Sequence, residues 1–341
     1  MAAVRKIFSG VMTKPSILGA FDLQFHAGEK MITRSGADSL IPVEISKEII
    51  QGIPQYSTIM GIATKAPNMS TKQRRIPVLS SLPTAYFVDG DVGLKQTSDQ
   101  LWSNKFFEAE ELAVIIPIPE AVLDDAEYDI WAEVKPRIME AMGIAFDNAV
   151  LFGTNAPASW PLDILSGATA AGTTIALGTG TDIYDDTLGE DGLFSLIENR
   201  GFMVTGSIAH MSMKGKYRGL RDLQGNPIFK TSMQDSTKYE LDGAPIQFPL
   251  NGAMDATKAL QFSGDFKQVL YTMRQDITYK ILDQAVISDN LGKVIMNLAQ
   301  QDMVALRAVI RLAWQIPNPM NKLDPTATRY PIAVLTPDIT P

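Results

Sequence analysis

The sequence predicts an α+β fold, and three stretches predict it. Between Asp124 and Gly153 the residues Ile130, Val134, Ile138, Ala141, Ala145, Ala149 and Phe152 recur at steps of three or four, the spacing of one helix face. Near the C-terminus Val304, Leu306, Ala308, Ile310, Leu312, Trp314 and Ile316 alternate without a miss, the period of a strand. Between residues 65 and 118 short apolar runs alternate with turn residues, which reads as a long β-rich excursion.

Residues 1–40 mix Gly and Ser with scattered aromatics (Phe8, Phe21, Phe25) and read as an extended arm that other surfaces must order. A short helix is expected around Glu44–Gln51. Arg74–Leu79 suggests a strand, Tyr86–Val88 a second and Phe106–Ile118 a third, with the Asp89-Gly90-Asp91 turn and a polar stretch between them. A two-stranded ribbon is marginal alone, so this one must lie on its own chain or on a neighbour.

The long helix is signposted at both ends, by Asp124 with Glu127 at capping-box spacing and by Gly153 as a left-handed cap. Some twenty-five helical residues would run roughly 37 Å, enough to act as the backbone of a domain. Glu133, Arg137, Glu140 and Asp147 fall on the opposite face, and Pro136 predicts a bend or two abutting helices. A loose Gly/Ala/Thr region (Ser166–Thr181) then precedes a helix near Asp185–Asn199, a strand at Met203–Met213 and a short helix at Lys214–Leu220. After these come a turn at Gly225-Asn226-Pro227 and a strand at Leu241–Phe248 interrupted by Gly243 and Pro245. The pattern is β again from Phe262, through Tyr271, Met273, Ile277, Tyr279 and Ile281. In the final run helix propensity competes with strict alternation, and the alternation decides for a long strand with Arg307 and Arg311 on its other face.

A chain of 341 residues exceeds the size at which one core stops growing, so two lobes are expected. Hydrophobic residues at 45% and charged residues at 20% fit an ordinary globular protein. A net charge of −8 disfavours tight non-specific binding to nucleic acid, which needs clustered cations. The absence of cysteine excludes disulfides, thiolate nucleophiles and cysteine-ligated metals. No apolar run is long enough to span a bilayer, and Lys14-Pro15 interrupts the faint signal-peptide pattern after Arg5 and Lys6.

Chemistry is sparse. His26 and His210 are the only histidines, neither has a partner at metal-ligand spacing, and no cofactor or metal is expected. There is no nucleophile elbow, and Gly178-Thr179-Gly180 lacks the rest of a dinucleotide fingerprint. The pairs Asp124-Asp125, Asp185-Asp186 and Glu190-Asp191 are better explained by capping and solvated turns than by acid/base work. Lys72, Arg74 and Arg75 with Tyr86 and Phe87 suggest a charged ribbon docking on an acidic neighbour rather than a nucleic-acid patch. A large chain with an arm, a dependent ribbon and few catalytic tools is expected to be a non-enzymatic subunit of an assembly.

The order of these elements resembles the major capsid proteins of tailed bacteriophages, the Hong Kong 97 (Johnson) fold family, over nearly the whole chain. Ile116-Pro117-Ile118-Pro119 leading to Leu123-Asp124-Asp125 resembles the start of that family's spine helix, and Asp147–Gly153 its end. Leu220-Arg221-Asp222-Leu223, Gly225-Asn226-Pro227, Leu241–Ile246 and Gly264-Asp265-Phe266 resemble axial and peripheral elements in the same order. The resemblance implies an N-terminal arm and short helix at 1–64, an extended β loop at 65–118 and a spine helix at 119–157. It further implies an axial domain at 158–260, with peripheral-domain strands and the C-terminal segment at 261–341.

It also implies a virion shell of hexamers and pentamers, assembled in the host bacterial cytoplasm, enclosing double-stranded DNA without sequence-specific binding. Scaffolding, portal and decoration proteins are the implied partners, and no membrane is involved. Arg74, Arg75, Tyr86, Phe87, Lys95 and Trp102 are the expected inter-subunit contacts. Some relatives cross-link an extended-loop lysine to a peripheral asparagine, roles that would fall here to Lys95 and to Asn318 or Asn321. An encapsulin-like shell enclosing protein cargo is the alternative.

Overall fold

Among the described residues the first helix, α1 (Thr58–Ile62), begins at Ser57, whose hydroxyl accepts the Met60 N–H. The structure is a computed structural model that describes residues 56–88, 94–126, 129–221, 224, 239–289, 291–326 and 328–338. All of these lie in one compact unit, Ile50–Pro341. The arm, the expected helix near 44–51, His26, Glu127 and the 225–227 turn fall outside the described residues.

After α1 come β1 (Thr64–Lys65), β2 (Gln73–Leu79), β3 (Trp102–Glu108) and β4 (Glu110–Pro119). The expected strand at 86–88 does not form. There the chain is held by side chains instead of a ladder, with Thr84 N–H donating to Ser98 Oγ at 2.7 Å and the Tyr86 hydroxyl to Gln96 O at 2.8 Å. The single strand expected over 106–118 is two, separated at Ala109.

The next elements are α2 (Glu120–Asp125) and α3 (Ile130–Phe152). The expected cap at Asp124 is displaced: the side chain of Asp129 accepts the Trp131 and Ala132 N–H groups, and Gly153 closes the helix at φ 66°. Pro136 sits inside α3 without ending it. The buried face is also rotated from the expected one. Ile138, Met142, Phe146 and Val150 are buried, whereas Ala141 and Ala145 are exposed, because the larger side chains at i, i+4 steps remove more apolar area from water. Asp147, expected outside, is fully buried.

The region expected to be loose contains α4 (Ile164–Ala171), capped by Asp163 and by Gly172 at φ 69°, and then β5 (Thr174–Ala176). The helix expected over 185–199 is two, α5 (Ile183–Leu188) and α6 (Leu193–Glu198). A Cβ on Gly189 would lie 2.5 Å from Asp185 O, so the break needs glycine. β6 (Gly206–Ala209) is shorter than expected because His210 caps α7 (Met211–Gly219), its Nδ1 accepting the Ser212 N–H at 3.2 Å. β7 (Glu240–Leu241) and β8 (Ala244–Gln247) form a hairpin on Asp242 and Gly243, both at positive φ, the chemistry of a two-residue turn.

The chain closes with β9 (Gln261–Gly264), β10 (Leu270–Leu282), β11 (Val286–Ser288), β12 (Val294–Asn297), β13 (Met303–Gln315) and β14 (Ile332–Thr336). β13 is the long strand the alternation predicted. It pairs antiparallel with β10 and with β4 in a four-stranded sheet of order β1-β10-β13-β4. A six-stranded sheet of order β5-β14-β9-β6-β8-β7 draws β9 and β14 from the last part of the chain into the company of β5 to β8. The main core joins α3 (Ile138, Met142, Phe146, Val150) to β13 (Leu306, Ile310, Trp314) and to β9 and β14 (Phe262, Ile332, Val334). A second core, with Leu193, Ile197, Met213, Tyr217 and Leu335, lies under the six-stranded sheet.

Candidate assembly interface

β2 and β3 form a sheet of their own, paired from Gln73↔Glu108 to Leu79↔Trp102. Directly opposed residues share a face. One face therefore carries Arg74, Ile76 and Val78 with Phe107, Lys105 and Ser103, and the other carries Arg75, Pro77 and Leu79 with Phe106, Asn104 and Trp102.

The base of this ribbon is fastened to its own chain. Phe107, 1% exposed, packs with Met69, Ala109 and Ala313. Trp160 Nε1 donates to Glu108 O at 3.0 Å, Gln315 Nε2 to Phe106 O at 2.9 Å and Arg74 to Pro67 O at 2.9 Å. Farther out the Met320 N–H reaches Leu79 O at 3.1 Å and Lys322 reaches Pro83 O at 3.3 Å. Beyond those ties the apolar side chains are uncovered: Phe87 is 104% exposed, Leu94 89%, Trp102 62% and Leu101 59%.

All six residues expected to touch neighbours are exposed, and Arg75, Phe87, Lys95 and Trp102 form no side-chain hydrogen bond to the described residues of the ribbon. Arg74 is spent on fastening the base, and Tyr86 bonds within the ribbon to Gln96. The register brings Arg75 and Trp102 onto one face, opposite Phe106 and Leu79 respectively, with Pro77 and Asn104 between the two pairs. Sequence reading gave Phe106 only the role of a strand start; the signal that would have found it is its place opposite Arg75. Asn318 donates to Arg329 O, and Asn321 donates to Arg200 O while accepting the Asp324 N–H, so both amides are engaged within the chain.

The buried carboxylates Asp186 and Asp147 have structural partners. Asp186 accepts the Gly178 and Gly180 N–H groups at 2.7 and 2.6 Å. Asp147 accepts Ser57 Oγ–H at 2.5 Å and the Thr58 N–H at 2.7 Å, and burial holds its carboxyl above the ordinary range despite these donors. Among the described residues no group of three His, Asp or Glu side chains is arranged to hold a metal ion, and no helix is long and apolar enough to cross a membrane.

The family model of the Phage capsid family matches residues 37–321. The chain belongs to the phage capsid family. The major capsid protein of Staphylococcus phage 80alpha is 27% identical over 312 residues, covering 91% of this chain and 89% of that protein. A solved structure from Microbacterium phage Oxtober96 has 34% identity and a TM-score of 0.77, covering 91% of this chain and all of the other. One from Mycobacterium phage Adephagia has 33% identity and a TM-score of 0.76, covering 92% of this chain and all of the other. The mixed helix and sheet architecture is thus the Hong Kong 97-like capsid fold, and this member of the phage capsid family is a structural capsid subunit.

Proposed function

We propose that this chain is the major capsid subunit of a tailed-phage head, forming hexamers and pentamers of an icosahedral shell around double-stranded DNA. The observation that carries the reading is the β2–β3 ribbon: its base is secured in its own chain, and its outer half carries Phe87, Leu94, Leu101 and Trp102 into solvent. A two-stranded ribbon with such a surface is completed by a neighbour. Arg75, Phe87, Lys95 and Trp102 are the contacts this reading favours, with Phe106 and Leu101 beside them. Residues 65–118 serve as the extended loop and α3 as the spine. The axial domain takes in β9 and β14 beyond 158–260, because their ladders lie in the six-stranded sheet. The net charge of −8 suits a wall that lies near DNA without gripping it. Assembly takes place in the host bacterial cytoplasm, with scaffolding, portal and decoration proteins as further partners. An encapsulin-like shell is the weaker reading, since the relatives with named roles are phage capsid proteins.

Negative-stain microscopy of the purified chain tests this. Closed shells or tubes are expected, and replacing residues 81–100 by a short Gly-Ser turn is expected to leave a folded, unassembled subunit. A discrete small oligomer, or shells indifferent to loss of the ribbon, would overturn the reading.

A further inference from the structure

Three buried side-chain atoms among the described residues have no hydrogen-bond partner: Trp314 Nε1, Asn318 Oδ1 and the Tyr330 hydroxyl. Leaving a buried donor or acceptor unpaired is costly, and folded proteins retain few such groups. Here all three side chains line one cleft of about 650 Å³.

The cleft lies between the base of β3, α4 and the segment that joins β13 to β14. Phe106, Trp160, Leu162, Ala170 and Ile316 give it apolar walls. A volume of that size, with apolar walls and a few placed polar groups, is the composition of a small-molecule site. Gly167 of α4 lines it as well. A Cβ there would lie 2.5 Å from the Tyr330 hydroxyl, so glycine, a poorer helix former than alanine, is what leaves the phenol its place.

The other polar groups of the lining are already committed. Arg329 gives its Nε and both terminal nitrogens to the carbonyls of Pro319, Thr326 and Asn318 at 2.9, 2.7 and 2.7 Å. Trp160 and Gln315 bond the backbone of β3. The Asn318 side-chain nitrogen donates to Arg329 O, which fixes Oδ1 as the atom left over. What remains is one N–H that only donates, one oxygen that only accepts and one hydroxyl that does either. A carboxylate would meet Asn318 Oδ1 oxygen to oxygen, and a hydrocarbon would leave all three atoms unpaired. A carboxamide answers each of them: its C=O accepts from Trp314 Nε1, and its NH2 donates to Asn318 Oδ1 and the Tyr330 hydroxyl.

We propose that this cleft binds a small neutral molecule with an apolar body and a primary carboxamide. The three atoms are themselves buried, so the carboxamide enters deepest and the lining yields slightly to admit it. The inference is independent of how copies of the chain assemble.

Benzamide, titrated calorimetrically into the purified full-length chain, is the probe. Saturable binding of one molecule per chain is expected, with benzoate at least roughly tenfold weaker because it trades the donor for a charge. Tyr330→Phe removes one oxygen and is expected to weaken benzamide several-fold to roughly tenfold. Ala170→Trp, at an exposed position of the wall, fills the cleft without touching the core and is expected to abolish binding. It carries the test if Tyr330→Phe fails to fold. No saturable binding, the result if ordered water alone serves these atoms, overturns the proposal. So does equal affinity for benzoate, or unchanged binding in Ala170→Trp.

Discussion

Gly143 and Asp147 show how single residues fix where the described chain joins the long helix. A Cβ at Gly143 would lie 2.6 Å from Ser57 N and 3.1 Å from Tyr56 C, both backbone atoms. Helix propensity alone makes Gly→Ala stabilising by about 1 kcal/mol. The overlap opposes it, and Gly143→Ala is expected to destabilise by about 1–3 kcal/mol in denaturant unfolding; a stabilised variant would show that α1 yields freely. One turn on, Asp147 takes four donors, from Ser57, Thr58, Ile59 and Asn251, with no cation among its partners. Burial raises its pKa, so the folded chain holds that proton more tightly than the unfolded chain. The stability this contributes is fully present below the ordinary carboxylate range and is lost as pH rises through the folded pKa. Asp147→Asn has no such proton. The wild-type stability relative to the variant should therefore fall as pH rises above the ordinary carboxylate range, and parallel stability curves would contradict the assignment. The sequence placed Asp147 on the exposed face because charge is usually outside. Nothing local announced that α1, some ninety residues upstream, needs its carboxylate as a cap.

At the scale of elements, periodicity was decisive where it was long. The alternation, six of whose seven positions fall in β13, outweighed helix propensity; Leu306, Ile310 and Trp314 are buried on one face, and Ala305, Val309 and Ala313 on the other between the more exposed Arg307 and Arg311. Trp314, 1% exposed, is the largest buried side chain of that run, and Trp314→Ala is expected to cost about 3–5 kcal/mol. A loss below 1 kcal/mol in chemical denaturation would mean the sheet does not depend on it. Short or glycine-rich elements were poorly legible. α4 is eight residues, six of them small, whose caps, Asp163 and Gly172, carry the signal that composition hid. The strand expected at 86–88 failed because three apolar residues in a row do not supply a partner strand.

For the whole molecule, the exposed outer half of the ribbon is the feature from which the proposed assembly is argued. Area buried there at about 25 cal/mol per Å² is offset by the cost of association, so each contact is modest and a shell gains its stability by repetition. The ordering of β-rich excursion, long helix and terminal strands was readable in sequence, because each is long enough for its pattern to outweigh local accidents. The fastening of the ribbon's base by Trp160, Gln315 and Phe107 was not, since those residues lie up to about two hundred positions apart.

The sequence by itself determined the fold class, the long helix, the long terminal strand and the poverty of catalytic groups, all consequences of periodicity and composition. Only the tertiary structure decided which helix face is inside and which ribbon residues serve the chain itself. Those depend on register and on contacts between distant residues, and neither is written in any local run of side chains.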